Sequence, residues 1–151
     1  MSLASWRAAV KAVLDGASAL SGVPVYDYIR HVKDEAGIKA LLVASERMHF
    51  WCVTAAQTDT LVVQRFPGNC DQGTYGLEVH GYYALKDADA SEKAFLDSVA
   101  EPVFDALRAA RHLTGDVGSG PPQWVEANHV MYVDVLAHHV RFNFPVRAQL
   151  S

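Results

Sequence analysis

Cysteine is scarce, and the features that would mark a secreted, membrane-spanning or nucleic-acid-coating chain are scarce with it. Two cysteines, Cys52 and Cys70, are too few for a disulfide framework. The first lies in an apolar strand-like run and the second in a polar stretch, so the expectation is one buried thiol and one surface thiol. No stretch approaches the length of an apolar membrane span. The opening residues, MSLASWRAAVKAVLDG, are amphipathic and lack the continuous apolar segment of a signal peptide. An excess of one charge is also missing: 13 Lys and Arg against 17 Asp and Glu leave a formal net charge of -4. That mild acidity gives no electrostatic reason for nonspecific nucleic-acid binding. A soluble protein made in a reducing cytoplasm is the expectation.

Chemical motifs are missing as well. There is no G-x-S-x-G elbow, no HExxH, no H-x-H and no paired CxxC. Of the seven histidines, His138 and His139 are adjacent, so on a strand they point to opposite faces and do not share a metal. His80 belongs to a different strand. Satisfied or partly buried histidines are therefore expected, with no metal, no cofactor and no catalytic residue assigned. The Gly-rich GSGPP follows a helix and leads into Pro-Pro and a strand. A phosphate cradle needs the reverse order, a strand before it and a helix N-terminus after it.

What is present is architecture. Residues Glu78 to Leu113 read as a strand, a short acidic turn and a long amphipathic helix. Asp89 and Glu92 have the spacing of a capping box. Leu96, Val99, Val103, Leu107 and Ala110 recur at helical spacing and define an apolar face, with Phe95 and Phe104 on its borders. Asp97, Glu101 and Asp105 form an acidic ridge opposite, while Arg108, Arg111 and His112 fall late, as the helix dipole favours. Pro102 removes one backbone hydrogen bond, so a kink is expected there. Gly115 is the expected terminator.

At 151 residues the chain is expected to form one domain, 1–151, burying roughly 70% of its unfolded surface. Leu3, Trp6, Val10, Val13 and Leu14 mark one face of a first helix ended by Gly16, bordered by Arg7 and Lys11. After Pro24, Tyr26 and Tyr28 share one face with Asp27 between them, and Ile29 shares the face of Val25, a weak alternation that suits a short edge strand. Asp34 to Gly37 is turn-like, and GIKALLVAS is compatible with either a short helix or a buried strand. Met48 to Ala55 reads as a strand, with LVVQRF as its partner. Phe66 to Gly76 has the composition of an exposed loop or hairpin tip, and Leu77 to Leu85 is the strand feeding the long helix. After that helix, Thr114 to Gln123 reads as a Gly/Pro-rich loop. In the β-rich end, Val140, Phe142, Phe144 and Val146 alternate with His139, Arg141, Asn143 and Pro145, a half-buried pattern. The fold class is α+β: a mainly antiparallel, mixed sheet with an N-terminal helix and one long amphipathic helix packed on it.

GYYALKDADASEKAF leading into VAEPVFDALRAA resembles small neck and tail proteins of long-tailed bacteriophages. MHFWCVTAA resembles their central strand and HHVRFNFPVR their final strand. In length and element order the match is to the tail terminator family. That resemblance implies a structural virion protein, not an enzyme. It would form a homohexameric ring on the last ring of tail-tube subunits, stop tube polymerisation and join the tail to the head. The implied partners are other copies of the chain, the tail-tube protein and a head-completion or connector protein. DNA would pass through the ring without sequence-specific binding, and no membrane is involved. The implied location is the neck of the virion, after assembly in the host cytoplasm. The loops Phe66 to Gly76 and Thr114 to Gln123 are the candidate contact segments. A different head–tail joining or tail-tube protein is the alternative within the virion. A hot-dog-like thioesterase or dehydratase is the enzymatic alternative, but that fold places its central helix early, whereas here several strands come first.

Overall fold

Two long strands, β4 (Cys70–Leu85) and β7 (Val135–Leu150), pair antiparallel from Asp71↔Leu150 to Tyr83↔His138 and form the spine of the molecule. The computed structural model describes residues 3–28, 47–56, 61–68, 70–85, 91–113, 118–132 and 135–150. Helix α1 is Leu3–Asp15, followed by a single 3-10 turn, Ser18–Leu20. The remaining strands are β1 (Val25–Tyr26), β2 (Arg47–Ala55), β3 (Leu61–Phe66), β5 (Gly118–Ser119) and β6 (Gln123–Tyr132). The second helical region runs as α2 (Ser91–Phe95), a π-helical turn (Leu96–Ala100) and α3 (Glu101–Ala109).

These strands form one seven-stranded mixed sheet, so the protein is α+β. Only β1 on β2 is parallel; the other five pairings are antiparallel. β2 and β3 lie end to end along one side of β4, and β6 and β5 end to end along the far side of β7. LVVQRF is thus a partner of β4 and not of β2, which corrects the expectation above. The interval from Leu61 to Phe66 pairs from Leu61↔Tyr75 to Phe66↔Cys70, forming a tight hairpin about Pro67 and Gly68. Gly68 takes φ 93°, a left-handed turn conformation open to glycine at little cost. The stretch Phe66 to Gly76, expected as an exposed loop or hairpin tip, is a hairpin tip where Phe66 pairs with Cys70 and strand from there on. Thr114 to Gln123 likewise contains β5 and the start of β6; its residues 114–117 lie outside the described residues, as do Asp34 to Gly37, GIKALLVAS, Asp89 and Gly115.

Period-two alternation decides what each face of the sheet buries. On the helix face, Trp51 and Val53 of β2, Tyr75, Leu77 and Val79 of β4, and Val140, Phe142, Phe144 and Val146 of β7 pack in one core with Trp6, Val10 and Leu14 of α1. Phe95, Ala100, Val103 and Leu107 close that core from the second helix. Each fully buried large side chain contributes roughly 1.5–3 kcal/mol. Cross-strand from Trp51 stands Gly81, where a Cβ atom would sit 2.6 Å from the indole ring. The glycine makes room for the tryptophan.

The kink expected at Pro102 takes the form of the π turn just before it. Proline has no N–H to give to the carbonyl of Ser98, and its ring would crowd that oxygen. Widening the turn moves the bonding to i→i−5, with the Glu101 N–H donating to the Leu96 carbonyl. The extra residue in the turn also rotates α2 relative to α3. Phe95, expected on the border of the apolar stripe, is fully buried as a result, while Phe104 stays partly exposed.

Candidate functional site

The sheet's second face holds the polar side chains that the first excludes. In each register row of β2, β4, β7 and β6 the residues opposite the core alternate onto it: Cys52 and Thr54, Glu78, His80 and Tyr82, His139, Arg141 and Asn143, then Glu126 and Asn128. A classical bulge-like shift between Trp124 and Glu126 adjusts β6 so that Glu126 lies opposite Arg141. Glu78 and His139 are buried, at 7% and 6% exposure.

These groups join in a chain across three strands. His80 Nε2 lies 3.1 Å from Glu78 Oε2, His80 Nδ1 lies 2.9 Å from His139 Nε2, and His139 Nδ1 lies 3.0 Å from Asn128 Oδ1. Arg141 brackets one end, with Nη1 3.5 Å from Glu78 Oε1 and Nη2 3.4 Å from Glu126 Oε1. The rings of Tyr82 and His139 stack at 4.8 Å, and Phe50 stacks on Tyr82 at 4.9 Å. Burial pushes the His139 imidazole down to about 4, with the neighbouring His80 adding to the effect. Burial lowers His80 too, against the opposing pull of Glu78.

Both rings are therefore neutral at pH 7, and two neutral imidazoles carry two ring protons between three junctions. With Glu78 as a carboxylate, which can only accept, the third proton comes from the Asn128 amide, its NH2 turned toward His139. The self-consistent order has Asn128 donating to His139, His139 to His80, and His80 to the Glu78 carboxylate. Had the amide oxygen accepted from His139, His80 would need protons on both nitrogens and a buried positive charge.

The chain has the parts of a proton relay. Cys52 is the cross-strand partner of His80, yet burial pushes its thiol up to about 12, so it holds its proton. No group of three or more His, Cys, Asp or Glu side chains that could hold a metal ion occurs among the described residues. The arrangement fixes the register of β4, β7 and β6, since a one-residue slip would carry every partner to the other face. His138 and His139 do part to opposite faces; His138 meets His129, ring centroids 4.6 Å apart, on the helix side. That His139 and Arg141 share a face opposite Val140 and Phe142 was readable in the sequence. The register that sets His139 beside His80 was not.

A second candidate lies at the edges of the sheet. All six residues of β3 are exposed, including Leu61, Val62, Val63 and Phe66, at 44–50%. Opposite and diagonal to it, β6 exposes Trp124 and Val125. Trp124 packs one face on Phe104 and Phe142, and its indole N–H donates to the Glu126 carbonyl. Among the described residues β3 pairs only with β4, and β6 only with β7. Cys70, at the start of β4, is exposed, as its polar surroundings imply, and Cys52 is buried. The acidic ridge Asp97, Glu101 and Asp105 faces outward, with Asp105 3.2 Å from Arg108 in the same helix.

No protein-family model matches the chain, and no curated protein matches it in sequence. The fold and its surfaces define a class: an α+β protein with a buried helix-covered core, a polar lock on the other sheet face and, among the described residues, two apolar edges without a partner strand. No helix among the described residues is long and apolar enough to cross a membrane.

Proposed function

We propose that this protein is an assembly component of a bacteriophage virion, a tail terminator that forms a ring on the end of the tail tube, halts its growth and joins it to the head. The observation that carries the reading is strand β3. An exposed apolar edge strand is a standing template for pairing with another chain, and monomeric proteins blunt such edges with charge, proline or cover. Here Arg65 is the only charged residue of β3, and it is held by Asp71, Nε to Oδ1 2.8 Å. All six residues of the strand are exposed, so solvent reaches both of its faces. Such an edge suits a protein whose working state is an assembly. Its partners in this proposal are further copies of the chain, the tail-tube protein and a head-completion protein, and its place is the neck of the virion.

The test is to mix the purified protein with tail-tube subunits encoded by the same genome and image the product by negative stain. Tubes of limited length, each ending in a six-fold ring, are expected. Tubes that grow unchecked while the protein stays monomeric and unbound would end the proposal.

A further inference from the structure

We infer that the β3 edge of one copy seats on the β6 edge of the next, so that the sheet runs on from subunit to subunit. This rests on the ring proposed above and assigns the two surfaces that close it. A head-to-tail contact needs two different patches on opposite sides of one subunit, whereas a two-fold dimer uses one patch twice. The described residues supply two such patches. Among the described residues eight large hydrophobic side chains are exposed, and six of them belong to these two edges: Leu61, Val62, Val63 and Phe66 on β3, and Trp124 and Val125 on β6.

The strand directions fit the join. β3 is antiparallel to β4, β4 to β7, and β7 to β6. β3 and β6 therefore run in opposite senses, and laying one against the other continues the antiparallel order without a break. The β5 edge, directly across the sheet from β3, is not available to the same contact. Its outer side is already taken, with His112 bridged to Gly118 and the Ser119 N–H donating to the Arg111 carbonyl. The diagonal placement of β3 and β6 gives each join a stagger along the strands, as the closure of a sheet into a barrel requires. Closure also removes both open edges at once. A second copy of this chain is thus the one occupant that satisfies both edges with a single repeated contact.

The experiment uses two variants of the full chain, Val63→Glu and Val125→Glu. Both positions are exposed, so circular dichroism and the urea midpoint should match the parent protein. A glutamate placed in the middle of an apolar contact should weaken it roughly a hundredfold or more. By native mass spectrometry, and on tube ends by negative stain, each variant alone should fail to form rings. Mixed in equal amounts, they should form heterodimers and nothing larger, because each pair keeps one intact β3–β6 contact. Rings formed by either variant alone, or a mixture that stays monomeric while the parent forms rings, would overturn the edge assignment and leave the ring standing. A parent protein that forms no ring, free or on tubes, would remove the ring itself and this inference with it.

Discussion

Trp51 and Gly81 show how little freedom single positions have in this core. The indole is fully buried, ringed by Phe95 at 6.2 Å and Phe142 at 5.8 Å between centroids, and lies over the bare Cα of Gly81. Gly81→Ala should cost about 2–3 kcal/mol, read as a lowered urea midpoint with an unchanged slope. The neutral histidines make a separate prediction, about pH. His139 is held near 4 in the folded protein against an ordinary 6.5, so the unfolded chain binds the proton first. Its contribution is complete above pH 6.5 and is lost as the pH falls toward 4, roughly 3 kcal/mol at the limit. His80 and His138, both lowered chiefly by burial, act in the same direction. The groups facing His139 are His80 and Glu78 on β4, Arg141 on its own strand, and Glu126 and Asn128 on β6. Urea unfolding across pH 7.5 to 4.5 should therefore show falling stability. His139→Gln should flatten that fall by close to one proton; an unchanged slope would mean the ring is not neutral in the folded state.

At the scale of elements, the helical region shows both the reach and the limit of reading the sequence. Spacing placed Val103 and Leu107 in the core correctly, and Pro102 marked the right point of disturbance. It did not reveal that the disturbance would be a π turn, because a missing N–H can be accommodated by a bend or by a wider turn, and tertiary packing selects between them. Here the wider turn brings Phe95 inward, where it stacks on Tyr83 at 5.1 Å with the ring planes 4° apart. Phe95→Ala should therefore cost roughly 3–5 kcal/mol, and Phe104→Ala less, since Phe104 is only partly buried. Equal losses would place both phenylalanines on the border, as ideal α-helical spacing has them. The strands were legible by composition and alternation, but LVVQRF was assigned the wrong neighbour. Nothing local distinguishes a strand that pairs with β2 from one that continues its line along β4.

For the molecule as a whole, the α+β class followed from element order, while the topology did not. The sequence neighbours β2 and β3 never pair with each other, and the spine joins segments more than fifty residues apart. Such long-range pairing is settled by the total burial it achieves, which no window of sequence contains. Stability should be distributed accordingly. In hydrogen exchange, amides of Val79 and Val140, at the centre of the β4–β7 pairing, should be among the slowest. Those of β3, solvated on both faces, should exchange orders of magnitude faster in the free protein and slow down on assembly. β3 amides as protected in the monomer as those of β4 would contradict this picture.

The β4–β7 spine also has a mechanical consequence. Its thirteen consecutive paired rows lie along a single line through the whole sheet. A tension applied along the strands loads those rows in parallel, so they must yield together, whereas a pull across them would unzip them one by one. The protein is thus stiff along one axis and compliant across it, a strut whose strength depends on the direction of the load.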